Sequence, residues 1–234
     1  THMKTWNRID YLGWNNCFCF ESEEFKVIVA TDIGPRVIHF SSPEGENLFY
    51  IDEETIGQTG SNEWKMYGGH RFWTSPESKE RTYIADNFPA LVEVDGNSIS
   101  ITARVEPTGF QKTLILTPLL SERLLKVTHV LTNKNKTPVE VAPWGLSVMH
   151  KGGTAIIPLP AKAMHTELLT PTLSFAHWGY TDLTDPRWGW GEQFLFLRQD
   201  EHMENPQKIG VHSGKDWAAY LNNSSLFIKM AKFN

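Results

Sequence analysis

The chain is short of cysteine, of helical periodicity, of basic runs and of long apolar stretches, and each shortage excludes something. Of 234 residues only Cys17 and Cys19 are cysteines. At i and i+2 on a strand they share a face but lie too close along the backbone for an ordinary disulfide. A Cys-x-Cys metal site would need a second cysteine pair, and the sequence has none, so no metal is expected. The two read as free thiols packed in a strand, which suits a reducing cytoplasm. No apolar run approaches the roughly 20 residues of a membrane helix and no signal peptide is evident, so no membrane contact is expected. Lys and Arg number 22 against 27 Asp and Glu, a net charge of −5 without a basic cluster, which argues against nucleic acid as a partner. A Gly-x-Ser-x-Gly elbow, a phosphate loop, a dinucleotide fingerprint and a zinc motif are all missing, so no cofactor is expected. Thr1-His2 before Met3 reads as a tag remnant, leaving 4–234 as one domain.

What is present is strand chemistry. Short runs rich in Val, Ile, Phe and Thr recur, among them NCFCFES, FKVIVATD, RVIHFSS, SISITARV, QKTLILTP and RLLKVTHVLT. Asp95-Gly96 between two of them is a tight hairpin signal. From Arg123 to Thr132, Leu125, Val127, His129 and Leu131 share one face and a mixed set shares the other. The pattern predicts an all-β sandwich of two large, mostly antiparallel sheets. IIPLPAKAMHTELLTPTL reads as a long wandering connection.

Nine tryptophans are the strongest departure in composition. Several fall in polar, turn-rich surroundings, where an aromatic face serves either packing or the stacking of a sugar ring. Three clusters stand out. Tyr67 to Pro89 reads as a long irregular segment, and such segments inside a compact domain are usually functional. It holds His70, which titrates near neutrality and can pass a proton. Arg71 and Arg81 can fork onto carboxylates or hydroxyls. Trp73 offers a face, Glu77 a base or an ion-pair partner, and Asp86-Asn87 a turn. APWGLSVMH places Trp144 and His150 on one face of a strand. DPRWGWGEQF places Trp188 and Trp190 together, with Glu192 beside them.

In order along the chain, WNNCFCF, TDIGPRVIHF, ENLFY, GGHRFWTSPE, RTYIADNFP and VAPWGLSVM resemble a bacterial family of the galactose mutarotase-like (aldose 1-epimerase-like) superfamily, from about Trp14 to Asn234. The resemblance implies a β-supersandwich with a sugar-binding cleft and an acid–base mutarotase activity on a mono- or short saccharide. It implies His70 as the catalytic proton carrier. Arg36, Arg71, Trp73, Glu77, Arg81, Asp86, Asn87, Trp144, His150, Trp190 and Glu192 are the expected substrate-binding residues. In mutarotases the base glutamate lies near the C-terminus. Either this chain is truncated and its last sheet edge invites pairing with another copy, or the base lies elsewhere. A sugar sensor of the same fold is the alternative. So is a lyase or hydrolase using Glu77, Tyr83, Asp86 or Glu192.

Overall fold

A computed structural model describes residues 4–231; residues 1–3, read above as a tag remnant, lie outside the described residues. The chain groups into two compact units, one up to Met149 and one from His150. Both are built of antiparallel strands, as the sequence predicts.

The first unit contains β1 (Asn7–Tyr11), β2 (Trp14–Glu21), β3 (Lys26–Ala30), β4 (Arg36–Ser41), β5 (Gly69–Ser75), the short helix α1 (Lys79–Thr82), β6 (Leu91–Asp95), β7 (Ser98–Thr102), β8 (Phe110–Leu119), β9 (Leu124–Asn133) and β10 (Ala142–Val148). One sheet runs β1-β2-β3-β4-β5-β10 and a second β6-β7-β8-β9. β3 reads as unbroken Val-Ile-Val-Ala because both of its faces are covered. β8 instead alternates: Phe110, Lys112, Leu114 and Leu116 are buried while the residues between them are half-exposed. The inward Lys112 is tolerated because Glu106 lies 2.8 Å from its ammonium. β6 and β7 form the hairpin expected at Asp95-Gly96, where Gly96 takes φ 60.

Contacts tie the two sheets together. Phe72 of β5 stands edge-on to His129 of β9, ring centroids 5.1 Å apart. Trp6 donates its indole N–H to the carbonyl of Asn97 at 2.8 Å. The other face of the six-stranded sheet packs a core of Trp14, Cys17, Ile28, Ala30, Ile33, Ile38 and Tyr67. Burying an aliphatic side chain of this size contributes about 1.5–3 kcal/mol. Both cysteines are free thiols, and burial, then Asp32, pushes Cys17 up to about 12, which leaves it inert. Close by, the buried His39 bonds the Tyr11 hydroxyl at 2.9 Å and Ser41 at 2.8 Å.

The second unit contains β11 (Thr154–Pro158), β12 (Ser174–His177), β13 (Trp188–Trp190), β14 (Phe194–Arg198), β15 (Ile209–His212), β16 (Trp217–Asn222) and β17 (Ser225–Met230). Five of them form a sheet in the order β13-β14-β11-β16-β17, and β12 pairs with β15 separately. The stretch 159–173 runs without strand or helix, as its prolines predict. Two details of the sequence reading are corrected. The sheets number four among the described residues, rather than two large ones. Tyr67 to Pro89 is not irregular throughout: it opens with β5, whose edge pairing to β10 spans seven residues, and includes α1.

Candidate functional site

The entry into β5 explains the Gly pair. Tyr67, Gly68 and Gly69 all have positive φ, at 52, 95 and 70. A Cβ on Gly68 would sit 2.0 Å from the carbonyl oxygen of Tyr50, and one on Gly69 2.1 Å from that of Val37. Only glycine fits at either place. Tyr67 bears the conformation because its ring is fully buried, edge-on to Trp14 at 5.9 Å.

From Gly69 onward, alternation sorts the side chains. His70 lies opposite Val37 and Ser147, and Phe72 opposite Gly145, on the face toward β9. Arg71 lies opposite Arg36 and Leu146, and Trp73 opposite Trp144, on the other face. The residues expected to line one cleft therefore divide between two faces of one strand: His70 on one, and Arg36, Arg71, Trp73 and Trp144 on the other.

On the second face two buried guanidiniums meet one carboxylate. Arg36, with no exposed surface, donates to Asp86 Oδ2 at 2.7 Å and to the Gly68 carbonyl at 2.8 Å. Arg71, 2% exposed, reaches both Asp86 oxygens and the carbonyls of Lys65 and Met66, each only at 3.5 Å. Its Nε has no hydrogen-bond partner among the described residues. The Arg71 guanidinium sits against the rings of Trp73 and Trp64, 4.8 and 5.3 Å from their centroids. Burial, then the charge of Arg36, pulls Arg71 down to about 9 against the opposing pull of Asp86, so it stays charged at neutral pH. Burial works to raise the Asp86 carboxyl, but Arg36, Arg71 and Lys112 outweigh it and hold it below the ordinary carboxylate range.

Around Arg71 the aromatic rings form a connected group. Trp73 meets Trp64 at 6.4 Å, Tyr83 at 5.6 Å and Trp144 at 5.4 Å between centroids. Tyr83 also stands edge-on to Trp64 at 5.4 Å. The indole N–H groups of Trp64 and Trp73 are buried without a hydrogen-bond partner. The exposed Glu77 accepts a hydrogen bond from the Tyr83 hydroxyl. Asn87, fully buried, donates to the carbonyls of Ser61 and Glu63, both at 2.6 Å, and so staples a loop. Arg81 lines a different feature, an open depression of about 430 Å³ with Glu80, Thr108, Phe110, Asn135 and Thr137.

On the first face His70 Nε2 lies 2.8 Å from His129 Nε2, and His70 Nδ1 lies 2.8 Å from Ser147 Oγ. One imidazole must donate and the other accept, so the bond holds only while at least one ring is neutral. Gly145 makes room for this pair: a Cβ there would come within 2.8 Å of His129 Nε2 and 3.2 Å of His70 Cε1. Gly145→Ala is expected to cost about 1–3 kcal/mol by overpacking and to part the two rings. Denaturant unfolding and the histidine ring signals in NMR check this; unchanged ring signals would refute it.

His150, Trp190 and Glu192 belong to the second unit. His150 is exposed, and its carbonyl accepts from Tyr220 and Asn222. Trp190 is half-exposed and leans on Trp188 at 5.9 Å and Phe175 at 6.1 Å. Glu192 pairs with Lys162 at 2.7 Å. Sequence reasoning missed His129 as the partner of His70. His129 could have been found as a histidine on the apolar face of an alternating strand.

Comparison with protein-family models, with curated proteins and with solved structures finds no match to this chain.

Proposed function

We propose that the protein binds a saccharide, as an aldose 1-epimerase-like protein without a cofactor, on the face of β5 and β10 that carries Trp73 and Trp144. The observation that carries this reading is the packing of Trp64, Trp73, Tyr83 and Trp144 around a buried guanidinium. A pyranose presents C–H groups that lie against aromatic faces and hydroxyls that need polar partners at their edge; the exposed Tyr83 and the part-exposed Trp64 and Trp144 offer such faces, and the buried Trp73 holds them in place. Anomeric interconversion needs one group to protonate the ring oxygen and another to take the proton of the anomeric hydroxyl. The hydrogen bond between Tyr83 and Glu77, beside the aromatic group, favours these two as the proton carriers, with Glu77 the base.

One observation favours the binding-only reading: His70, the proton donor implied by the resemblance, faces His129 and Ser147 instead of the aromatic group. Two measurements separate the readings. Tryptophan fluorescence titrated with a panel of sugars is expected to saturate, and Trp73→Ala to weaken that binding at least tenfold. Polarimetry on freshly dissolved sugars is expected to show faster equilibration, lost in Glu77→Gln. Binding without acceleration would leave a sugar-binding module, and a panel that produces no saturation would end the carbohydrate reading.

A further inference from the structure

We propose that the saccharide is acidic, and that its carboxylate is held in a small cavity beside Arg71; this rests on the carbohydrate reading above. The cavity measures about 30 Å³ and is lined by Arg71, Trp73, Asp86, Arg104, Glu106 and Lys112 among others. Three cations thus face two carboxylates, and the pairing between them is uneven. Lys112 is matched to Glu106 at 2.8 Å. Asp86 is matched to Arg36, which lies behind it, at 2.7 Å. That leaves Arg71 and Arg104 without a close counter-ion. Arg104 lies over the ring of Phe88, 3.4 Å from its centroid, and makes no ion pair among the described residues. Arg71 holds Asp86 only at 3.5 Å, and its Nε has no partner although the side chain is 98% buried by its 2% exposure.

A buried guanidinium leaves this much of its donor capacity unspent only at a cost, because each buried unbonded N–H forfeits its hydration. An anion restores the balance of both charge and hydrogen bonds. The cavity is small, and among the anionic groups of sugars a carboxylate is smaller than a phosphate. Planar carboxylate is also the shape that the guanidinium fork matches. With the aromatic group adjoining through Trp73, which borders both features, the ligand class that satisfies cavity and rings together is a uronic acid or an oligosaccharide containing one.

Binding of D-glucuronate, D-galacturonate, D-glucose, D-galactose and D-glucose 6-phosphate by titration calorimetry tests this. The uronates are expected to bind at least tenfold more tightly than the matching neutral sugars, with a preference that shrinks as salt is raised. Arg71→Gln is expected to abolish the preference. The exposed Arg104→Gln, which leaves the buried cluster untouched, is expected to reduce it several-fold. Uronates and neutral sugars binding within twofold of each other would overturn the acidic assignment and leave the carbohydrate reading standing. So would a preference that both variants retain. Tighter binding of the sugar phosphate than of the uronates would overturn the carboxylate assignment, and no binding by any of the five would overturn both readings.

Discussion

Asp86→Ala is expected to destabilise the first unit by about 3–5 kcal/mol, the range for removing one partner from a buried ion pair. The reason is what remains. Arg36 has no exposed surface and Arg71 almost none, so both keep their charge in a poorly solvated place with no carboxylate between them. The backbone bond from the Gly34 N–H to the residue 86 carbonyl, 2.7 Å, survives the substitution, so the loss reports the carboxylate alone. In a unit of this size, the loss lowers the melting temperature by roughly 2–4 °C per kcal/mol. Adding Arg36→Met is expected to recover part of the loss, since the double variant removes one of the stranded charges. Thermal and urea unfolding of the single and double variants measure this. A loss below about 1 kcal/mol for Asp86→Ala would mean that the cluster is hydrated and the charge argument wrong.

Acidification should expose a second dependence, through His39. Burial first, and then the charge of Lys26, pulls its imidazole down to about 4 from an ordinary 6.5. The ring therefore stays neutral in the fold at pH values where the unfolded chain protonates it. Its contribution is present in full above about pH 6.5, falls as the pH drops, and is gone near pH 4, where both states are charged. A gap of this width corresponds to about 3 kcal/mol. Neutral imidazole also fits its neighbours, since it offers one donor and one acceptor to the hydroxyls of Tyr11 and Ser41. His39→Gln keeps a donor and an acceptor but cannot titrate. Between pH 7 and pH 4.5 it is expected to lose about 2 kcal/mol less stability than the parent protein. Parallel losses in the two proteins would show that His39 does not titrate differently on folding.

The legibility of the molecule followed the range of the signal. Strand identity is local: the alternation in β8 and β9 and the Asp95-Gly96 hairpin were plain in the residues, because pleating and turn chemistry act over a few positions. Sheet composition was not, since it depends on which strands meet, and β10 reaches β5 across more than sixty intervening residues. The site shows the same division. Trp73 and Trp144 were singled out separately and prove to be register partners. Asp86 reads locally as a turn residue, and its role between two arginines exists only where the chain folds back over the sheet. Adjacency in sequence groups His70 with Arg71, yet adjacency on a strand puts two residues on opposite faces. Reading Tyr67 to Pro89 as irregular concealed that rule.

The left-handed run from Tyr67 to Gly69 has a consequence for how this protein tolerates change. Its backbone is pinned on both sides, by Asp52 N–H to the Tyr67 carbonyl at 3.0 Å and by Gly69 N–H to the Tyr50 carbonyl at 2.9 Å. A slip of one residue in β5 would exchange its two buried faces, moving His70 into the arginine–aromatic cluster and Arg71 toward His129. The pinned run stands between β5 and the loop 53–65 and acts as a phase lock. A shift arriving from that loop meets the lock before it reaches β5, so the odd and even positions of β5 keep their separate duties.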